Sequence, residues 1–448
     1  MIYSKKIPSL AISLLICILV CSQSNIDILH YRFNLTLDDK YDTIYGSATI
    51  IVRFLQPDTL FSIDLVTQNK QGKGMKTDKI VSDKGIKIKN FVAKNDKVNI
   101  VLSRATQAND TAIFTIYYHG IPADGLIISN NRYGDRTFFA DNWPNRAHNW
   151  IPCVDDLADK ASFEFIVTAP THYLVISNGL QIEETKLSAN KKLTHWSEDI
   201  PLPTKVMVIG AADFAVKKYY DSPYGIPVTA WVFAKDSTDG FIDYDQASSI
   251  LKYFIYYIGP YPYNKLANVQ SKTIFGGMEN ASAIFYSENS VNGNHNDESL
   301  IAHEIAHQWF GDMVTEKSFA HLWLSEGFAT YLAHLYIEAR YGTDSLDIEM
   351  QKDRKAIINY TKRSDKPVID SVSAYNQLLN SNNYEKGSWV LHMLRRQLGD
   401  SVFQQIIRSY YDVYKGKNAD TKDFQAIAEK ISGENLDSFF RQWLYASG

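Results

Sequence analysis

Glutamate is distributed unevenly along this chain of 448 residues, and that asymmetry constrains the fold more than any other feature of the sequence. The first glutamate is Glu164, although aspartate is frequent before it, and 11 of the 15 glutamates lie after residue 250. Glutamate favours helices and is depleted in strands. We therefore expect a sheet-rich first part and a largely helical second part.

Strand patterns fill the first part of the chain. Residues 30–37 and 47–54 alternate between apolar and polar side chains, and residues 111–118 are β-branched and aromatic. We predict an all-β N-terminal domain over 23–218, followed over 219–448 by a mainly helical α+β domain.

Helical spacing of apolar residues dominates the second part. Gly342 and Gly399 stand just after two of these patterns, where glycine commonly ends a helix. Helices are predicted over 246–258, 297–310, 320–341 and 384–398, with two more before the end of the chain.

The amino terminus has the order of a secretory signal. Lys5 and Lys6 precede an apolar run over 10–20, which is too short to span a bilayer comfortably. We predict a signal peptide over 1–22 and an exported protein, periplasmic or extracellular, without a transmembrane helix in the mature chain. Two endings stay open, namely cleavage after Ser22 and a lipid anchor at Cys21. An uncleaved hydrophobic tail is the simpler alternative.

Composition excludes several classes of protein. A net charge of -4 provides no basic surplus for nucleic acid, and three cysteines cannot build a disulfide framework.

The sequence HEIAH at 303–307 points to a metal site. His303 and His307 are four residues apart, so one helix face presents both imidazoles to one ion. Zinc needs three protein ligands if water takes the fourth place. Glu326 lies in an apolar helical pattern where a buried carboxylate needs a partner, and it completes the set for one zinc ion per chain. Two satisfied core histidines and a surface glutamate are the structural alternative.

Glu304 is the predicted general base. It is not needed as a ligand and lies beside the ion. A zinc ion with three protein ligands lowers the pKa of its bound water toward about 7, and Glu304 can take the proton and deliver it to a leaving amine. These roles predict hydrolysis of an amide.

Taken together, the motifs resemble the M1 family of zinc aminopeptidases, also called gluzincins. The resemblance implies a β domain followed by a thermolysin-like catalytic domain, and it extends over most of the predicted mature chain. The motifs that carry it are HEIAHQWFGD at 303–312, WLSEGFATY at 323–331 and GGMEN at 276–280, with weaker matches at 152–155, 259–263 and 384–387.

The resemblance also implies the substrate-binding residues. In the family motif that matches Gly276, Gly277, Met278, Glu279 and Asn280, the glutamate binds the free α-amino group and the glycine backbone lies along the substrate. A glycine turn followed by a surface acid is the structural alternative.

Tyr384 matches the family tyrosine whose hydroxyl stabilises the oxyanion of the tetrahedral intermediate. Its structural alternative is one more packed aromatic among 28 tyrosines.

Two departures from the family pattern stand out. Asp141 occupies a position where many members have a glutamine or glutamate that holds the amino terminus. It is expected either to meet the ammonium group, to favour a basic first side chain, or to be an ordinary loop aspartate. The chain also ends about 60 residues after Tyr384, so we expect a compact two-domain form with an open cleft.

The predicted function is a zinc aminopeptidase acting on peptides with a free N-terminus. A thermolysin-like endopeptidase uses the same zinc set, but a fixed carboxylate at Glu279 disfavours a chain that continues on that side. Epoxide hydrolysis, known in one branch of the family, has no supporting feature. A non-catalytic peptide-binding or adhesion module usually lacks a ligand or base, whereas every core position is filled here.

Overall fold

The computed structural model describes residues 25–447. The predicted signal peptide over 1–22 and the lipid-anchor site at Cys21 lie outside the described residues. Within the described range, no helix is both long and apolar enough to cross a bilayer.

The first part of the described chain is built from strands. Several of them alternate buried and more exposed side chains, most regularly the strand over 161–170, as expected when one face of a sheet covers a core. The strands are β1 Ile26–Thr36, β2 Ile44–Phe54, β3 Leu60–Asp64, β4 Gly74–Lys84, β5 Ile88–Lys94, β6 Lys97–Leu102, β7 Thr111–Ile121, β8 Leu126–Asn130, β9 Arg136–Ala140, β10 Ala161–Pro170, β11 Leu174–Ser177, β12 Leu180–Lys186, β13 Lys191–Leu202 and β14 Ile209–Ala212.

These strands form three sheets. The largest has the order β12-β13-β10-β1-β2-β7-β4, in which β1 runs parallel to β10 and antiparallel to β2. A sheet of order β3-β6-β5 packs on it, where Phe61 contacts Phe54 and Phe114. The third has the order β11-β14-β9-β8. The predicted N-terminal β domain is confirmed.

The second part combines a five-stranded sheet with helices. The sheet has the order β15-β16-β17-β19-β18, so β18 is an edge strand. Because β15 belongs to this sheet, the strand that contains the predicted boundary at 218 goes with the later part of the chain. The strands are β15 Phe214–Tyr219, β16 Val228–Phe233, β17 Leu266–Ser271, β18 Gly277–Met278 and β19 Ala283–Ser287, and two short strands pair further on, β20 Thr315–Glu316 with β21 Asn418–Ala419.

The helices confirm the prediction of a mainly helical second part. Gly342 and Gly399 have positive φ and end two of them. Tyr384 lies in a π-helical turn, Asn382–Lys386, rather than in the regular helix that follows it. The helices are α1 Ser237–Asp243, α2 Ala247–Tyr257, α3 Glu298–His307, α4 Trp323–Tyr341, α5 Thr343–Thr361, α6 Gly387–Leu398, α7 Asp400–Tyr414, α8 Thr421–Ser432 and α9 Asp437–Phe440.

Buried polar contacts join the two parts. Lys205 Nζ lies 2.9 Å from Glu316 Oε1, and both side chains are almost completely buried. Nearby, Asn178 Nδ2 donates to the backbone oxygen of Ala281 at 2.6 Å. The β domain is therefore fixed against the turn that follows β18.

Candidate active site

Two adjacent helices bring the three predicted metal ligands together. His307 Nε2 lies 3.2 Å from Glu326 Oε2, His303 Nε2 lies 3.4 Å from the same oxygen, and the two imidazole nitrogens are 3.0 Å apart. The ligand atoms of the three residues all lie within 4.8 Å of one another. The i, i+4 spacing on α3 and the first turn of α4 thus direct three ligand atoms at one point.

The surrounding groups favour metal binding. His307 Nδ1 lies 3.1 Å from both the Phe310 carbonyl oxygen and Ser325 Oγ, which leaves Nε2 directed at the site. Burial opposes a charge on Glu326, but His307 and His303 hold the pKa of its carboxyl well below the ordinary range. Two imidazole nitrogens and an ionised carboxylate are a donor set that catalytic zinc uses, so these residues fit that ion.

Glu304 lies beside the ligands in a cavity of about 530 Å³. Burial raises the pKa of its carboxyl well above the ordinary range, and the charges of Glu279 and Glu326 add to this against the opposing effect of His307. A carboxylate with a raised pKa is a better proton acceptor near neutral pH.

Gly277 contacts Glu304 so closely that a side chain has no room. A Cβ placed on Gly277 would lie 2.3 Å from Glu304 Oε1. Gly277 and Met278 form β18, whose other edge is not paired within the sheet. This edge of the sheet and the predicted base therefore border the same cavity.

Glu279 provides a second buried carboxylate in the cavity. Its side chain is only 5% exposed, and Oε1 has no hydrogen-bond donor among the described residues. Burial raises its pKa, which His307 and Lys205 partly offset. Gln308 Nε2 donates to the Glu279 backbone oxygen at 2.8 Å, which ties this segment to α3.

Tyr384 reaches the cavity from the π-helical turn. Its ring lies nearly parallel to the His303 ring, with centroids 6.0 Å apart and an angle of 11° between the planes. Burial raises the pKa of its hydroxyl well above the ordinary value, so it is a hydrogen-bond donor at neutral pH.

The cavity wall includes most of the predicted site residues but not all of them. Asp141 and Asn280 are fully buried and do not line it. Residues that the sequence did not single out also form the wall. They are Trp143, Phe275, Ser299, Leu300 and Leu379, whereas the predicted members are Gly276, Gly277, Met278, Glu279, His303, Glu304, His307, Glu326 and Tyr384.

Trp143 is the residue of this wall that comes from the β domain. Its ring makes edge contacts with Phe275 and Phe319, at centroid distances of 5.8 Å each. The only sequence signal for a role of Trp143 in the site is its position two residues after Asp141. Nothing in the sequence links it to the other residues of the wall, which lie more than a hundred positions away.

Two family patterns match the chain. The Peptidase M1 N-terminal domain matches residues 28–206, and the Peptidase family M1 domain matches residues 242–443. Together with the fold and the site, these matches show that the chain belongs to the M1 family of peptidases, and they confirm the predicted family.

Curated relatives agree with this assignment, and a solved structure shares the fold. Aminopeptidase M1 of Arabidopsis thaliana is 29% identical over 68% of this chain and 36% of its own length. Aminopeptidase 2 of Candida albicans is 26% identical over 94% of this chain and 47% of its own length. The chain thus spans less than half of these two relatives. An M1 zinc metallopeptidase from Deinococcus radiodurans, 22% identical, shares the fold with a TM-score of 0.80 over 94% of both chains.

Proposed function

We propose that the protein is a zinc aminopeptidase that hydrolyses the first peptide bond of peptides with a free N-terminus. The observation that carries this proposal is the Glu279 carboxyl group, which lines the same cavity as the His303, His307 and Glu326 set and has one buried oxygen without a donor among the described residues. Burying a carboxylate whose hydrogen bonds are incomplete is costly, and the α-ammonium group of a peptide is a matching counter-charge.

His303, His307 and Glu326 would hold the zinc ion. When bound, zinc polarises the scissile carbonyl and makes water a nucleophile near neutral pH. Glu304 takes a proton from the attacking water and passes it to the leaving nitrogen as the C–N bond breaks. The hydroxyl of Tyr384 donates a hydrogen bond to the carbonyl oxygen as negative charge develops there.

The edge of β18 would hold the substrate backbone. Gly276, Gly277 and Met278 line the cavity, and glycine allows a peptide to approach the chain closely. Asn280 has both side-chain polar atoms buried without partners among the described residues. It does not line the cavity, so its part in substrate binding stays a prediction from the family motif.

A zinc endopeptidase is the second candidate, since it would use the same ligands and base. Glu279 argues against it, because a carboxylate fixed for an ammonium group disfavours an amide at that position. The test compares leucyl substrates with a free and an acetylated amine, with and without a chelator. If the acetylated substrate is cleaved as fast as the one with a free amine, the exopeptidase assignment is wrong.

Glu304→Gln tests the base separately. We expect the variant to bind zinc at the wild-type stoichiometry while turnover falls by about 100-fold or more. Retained turnover would remove Glu304 from the mechanism.

We also propose that the protein is exported. Lys5 and Lys6 ahead of the apolar run over 10–20 support this proposal. Mass spectrometry of the mature amino terminus after expression in a bacterial host distinguishes cleavage after Ser22, lipid attachment at Cys21 and an uncleaved chain, of which the last contradicts export.

A further inference from the structure

Asp141 belongs to the β domain but forms hydrogen bonds to a segment of the catalytic domain. Its Oδ2 accepts hydrogen bonds from Thr273 Oγ1 at 3.0 Å and from the Ile274 backbone nitrogen at 3.2 Å. These partners lie 132 and 133 positions after Asp141 in the chain. The residue directly after Ile274 is Phe275, which begins the cavity-lining segment over 275–279.

Arg146 occupies the other side of the carboxylate. Its Nη2 donates to Asp141 Oδ1 at 2.5 Å, and the Asp141 side chain is completely buried. Arg146 is itself fixed, since Nε donates to the Trp143 backbone oxygen at 2.7 Å and Nη1 to Asp124 Oδ1 at 3.0 Å. Both oxygens of Asp141 are thus engaged, and its charge is compensated within the protein.

The same contacts define the wall of the cavity. Trp143 is held by Arg146 and makes an edge contact with Phe275. Together with Met278 and Leu379, these two rings form a largely apolar side of the cavity, and the Asp141 carboxylate is not part of it.

We propose that Asp141 is a positioning residue. It acts through Thr273 and Ile274 to fix the segment that leads into β18. It neither binds the amino group of the substrate nor selects the charge of the substrate's first side chain. This inference rests on the proposed aminopeptidase function for its kinetic consequences, and on the geometry alone for its structural ones.

The kinetic experiment uses the zinc-loaded full chain and three variants. Asp141→Ala removes the carboxylate, Thr273→Val removes only the hydroxyl, and the third variant combines both. Asp159→Ala is the matched control, because Asp159 is also a buried carboxylate of the β domain that accepts from a backbone nitrogen, that of Ile28. The parameters kcat and KM are measured for leucyl and lysyl substrates.

If Asp141 is a positioning residue, kcat/KM should fall about 10-fold in Asp141→Ala and several-fold in Thr273→Val, because each variant loses a hydrogen bond to a charged group. The fall should be the same for the leucyl and the lysyl substrate. The double variant is no worse than Asp141→Ala, and the control retains wild-type kcat/KM. A selective loss of the lysyl substrate in Asp141→Ala, with Thr273→Val unchanged, would overturn the proposal.

Hydrogen–deuterium exchange provides a readout that needs no activity. We expect Asp141→Ala and Thr273→Val to accelerate exchange over residues 273–278 while the α3 helix keeps its protection. Unchanged exchange over 273–278 in Asp141→Ala contradicts the proposal. An inactive wild-type enzyme would overturn the aminopeptidase function instead, and the exchange measurement would still decide the role of Asp141.

Discussion

Gly327 and Gly387 contact each other through their backbones where α4 crosses α6. A Cβ placed on Gly327 would lie 2.8 Å from Gly387 Cα, and one on Gly387 would lie 2.9 Å from Gly327 Cα. Glu326 is the neighbour of the first glycine, and the turn that carries Tyr384 ends just before the second. This glycine pair therefore sets the distance between a metal ligand and the predicted oxyanion donor.

Gly327→Ala should separate these two helices. The added methyl group has only backbone atoms to displace, and overpacking of this kind costs about 1–3 kcal/mol. We expect a lower free energy of unfolding and, in the folded protein, a kcat reduced about 10-fold or more because Tyr384 moves from the metal site. Denaturant titration and steady-state kinetics measure the two effects. Wild-type kcat in the folded variant would contradict this role of the contact.

Gly277→Ala should impair catalysis more than folding. Its Cβ would displace the Glu304 carboxylate, a flexible side-chain end, so we expect a fall in kcat of about 10- to 100-fold with bound zinc retained. Gly276→Ala is the matched control for kcat, because a Cβ there meets only Leu300 Cδ1, at 4.0 Å, and does not reach Glu304; poorer approach of the substrate to this residue should appear in KM. The interpretation fails if the two alanine variants lose kcat to the same extent.

Removal of zinc should lower the melting temperature. The metal binds the folded state, so saturation at 100 times its dissociation constant adds about 2.7 kcal/mol of stability. We expect a chelator to lower Tm by several degrees and zinc to restore it. Glu326→Gln serves as the control, since losing a ligand should weaken the response. A Tm that does not depend on zinc in the wild type would argue against the assigned site.

The buried pair of Lys205 and Glu316 should be sensitive to the loss of one partner. Removing one charge leaves the other buried and unpaired, which costs about 3–5 kcal/mol. We expect Lys205→Met and Glu316→Leu each to lower the free energy of unfolding by that amount, and the double variant to recover part of it. Denaturant titration of all four proteins tests the cycle. Additive losses in the double variant would show that the two charges do not stabilise each other.

Asp159 should make stability depend on pH. Burial raises the pKa of its carboxyl from about 3.8 to about 8 in the folded protein, so the folded state holds a proton that the unfolded chain releases. This contribution to stability is fully present below about pH 3.8 and is lost as the pH rises through about 8. Asp159→Asn should therefore gain stability relative to the wild type between pH 4 and 8.

Urea titrations across that pH range measure the difference between the two proteins. Asp365→Asn, at an exposed position, is the control for the general effect of replacing a carboxyl group with an amide. A difference between Asp159→Asn and the wild type that stays constant with pH would contradict the assignment.

Local patterns predicted correctly that His303 and His307 lie on one helix, α3, with their imidazoles close together, because the i, i+4 spacing is itself the physical requirement. Glu326 was predicted as a ligand because a carboxylate in an apolar helical pattern needs a partner. Tyr384 came only from the family resemblance, since its proximity to His303 depends on how α4 and α6 cross.

Features that depend on distant partners were not predictable in this way. Helix α5 was missed, because Asp353 occupies a buried position after Leu346 and Met350 and interrupts the apolar pattern. The carboxylate of Asp353 instead accepts from Ser388 Oγ and pairs with His334. The contacts of Asp141 with Thr273 were hidden for the same reason, since a side chain's partner across 132 positions leaves no periodic signal.

The π-helical turn over Asn382–Lys386 has a consequence for how this site tolerates changes in length. Such a turn contains one residue more than a regular α-helical turn. Deleting one residue between Tyr384 and Gly387, where α6 begins, would let the helix close regularly, but successive residues differ by about 100° around a helix axis. The phenol would then face away from the metal ligands, so at this point the enzyme depends on the number of residues as much as on their identity.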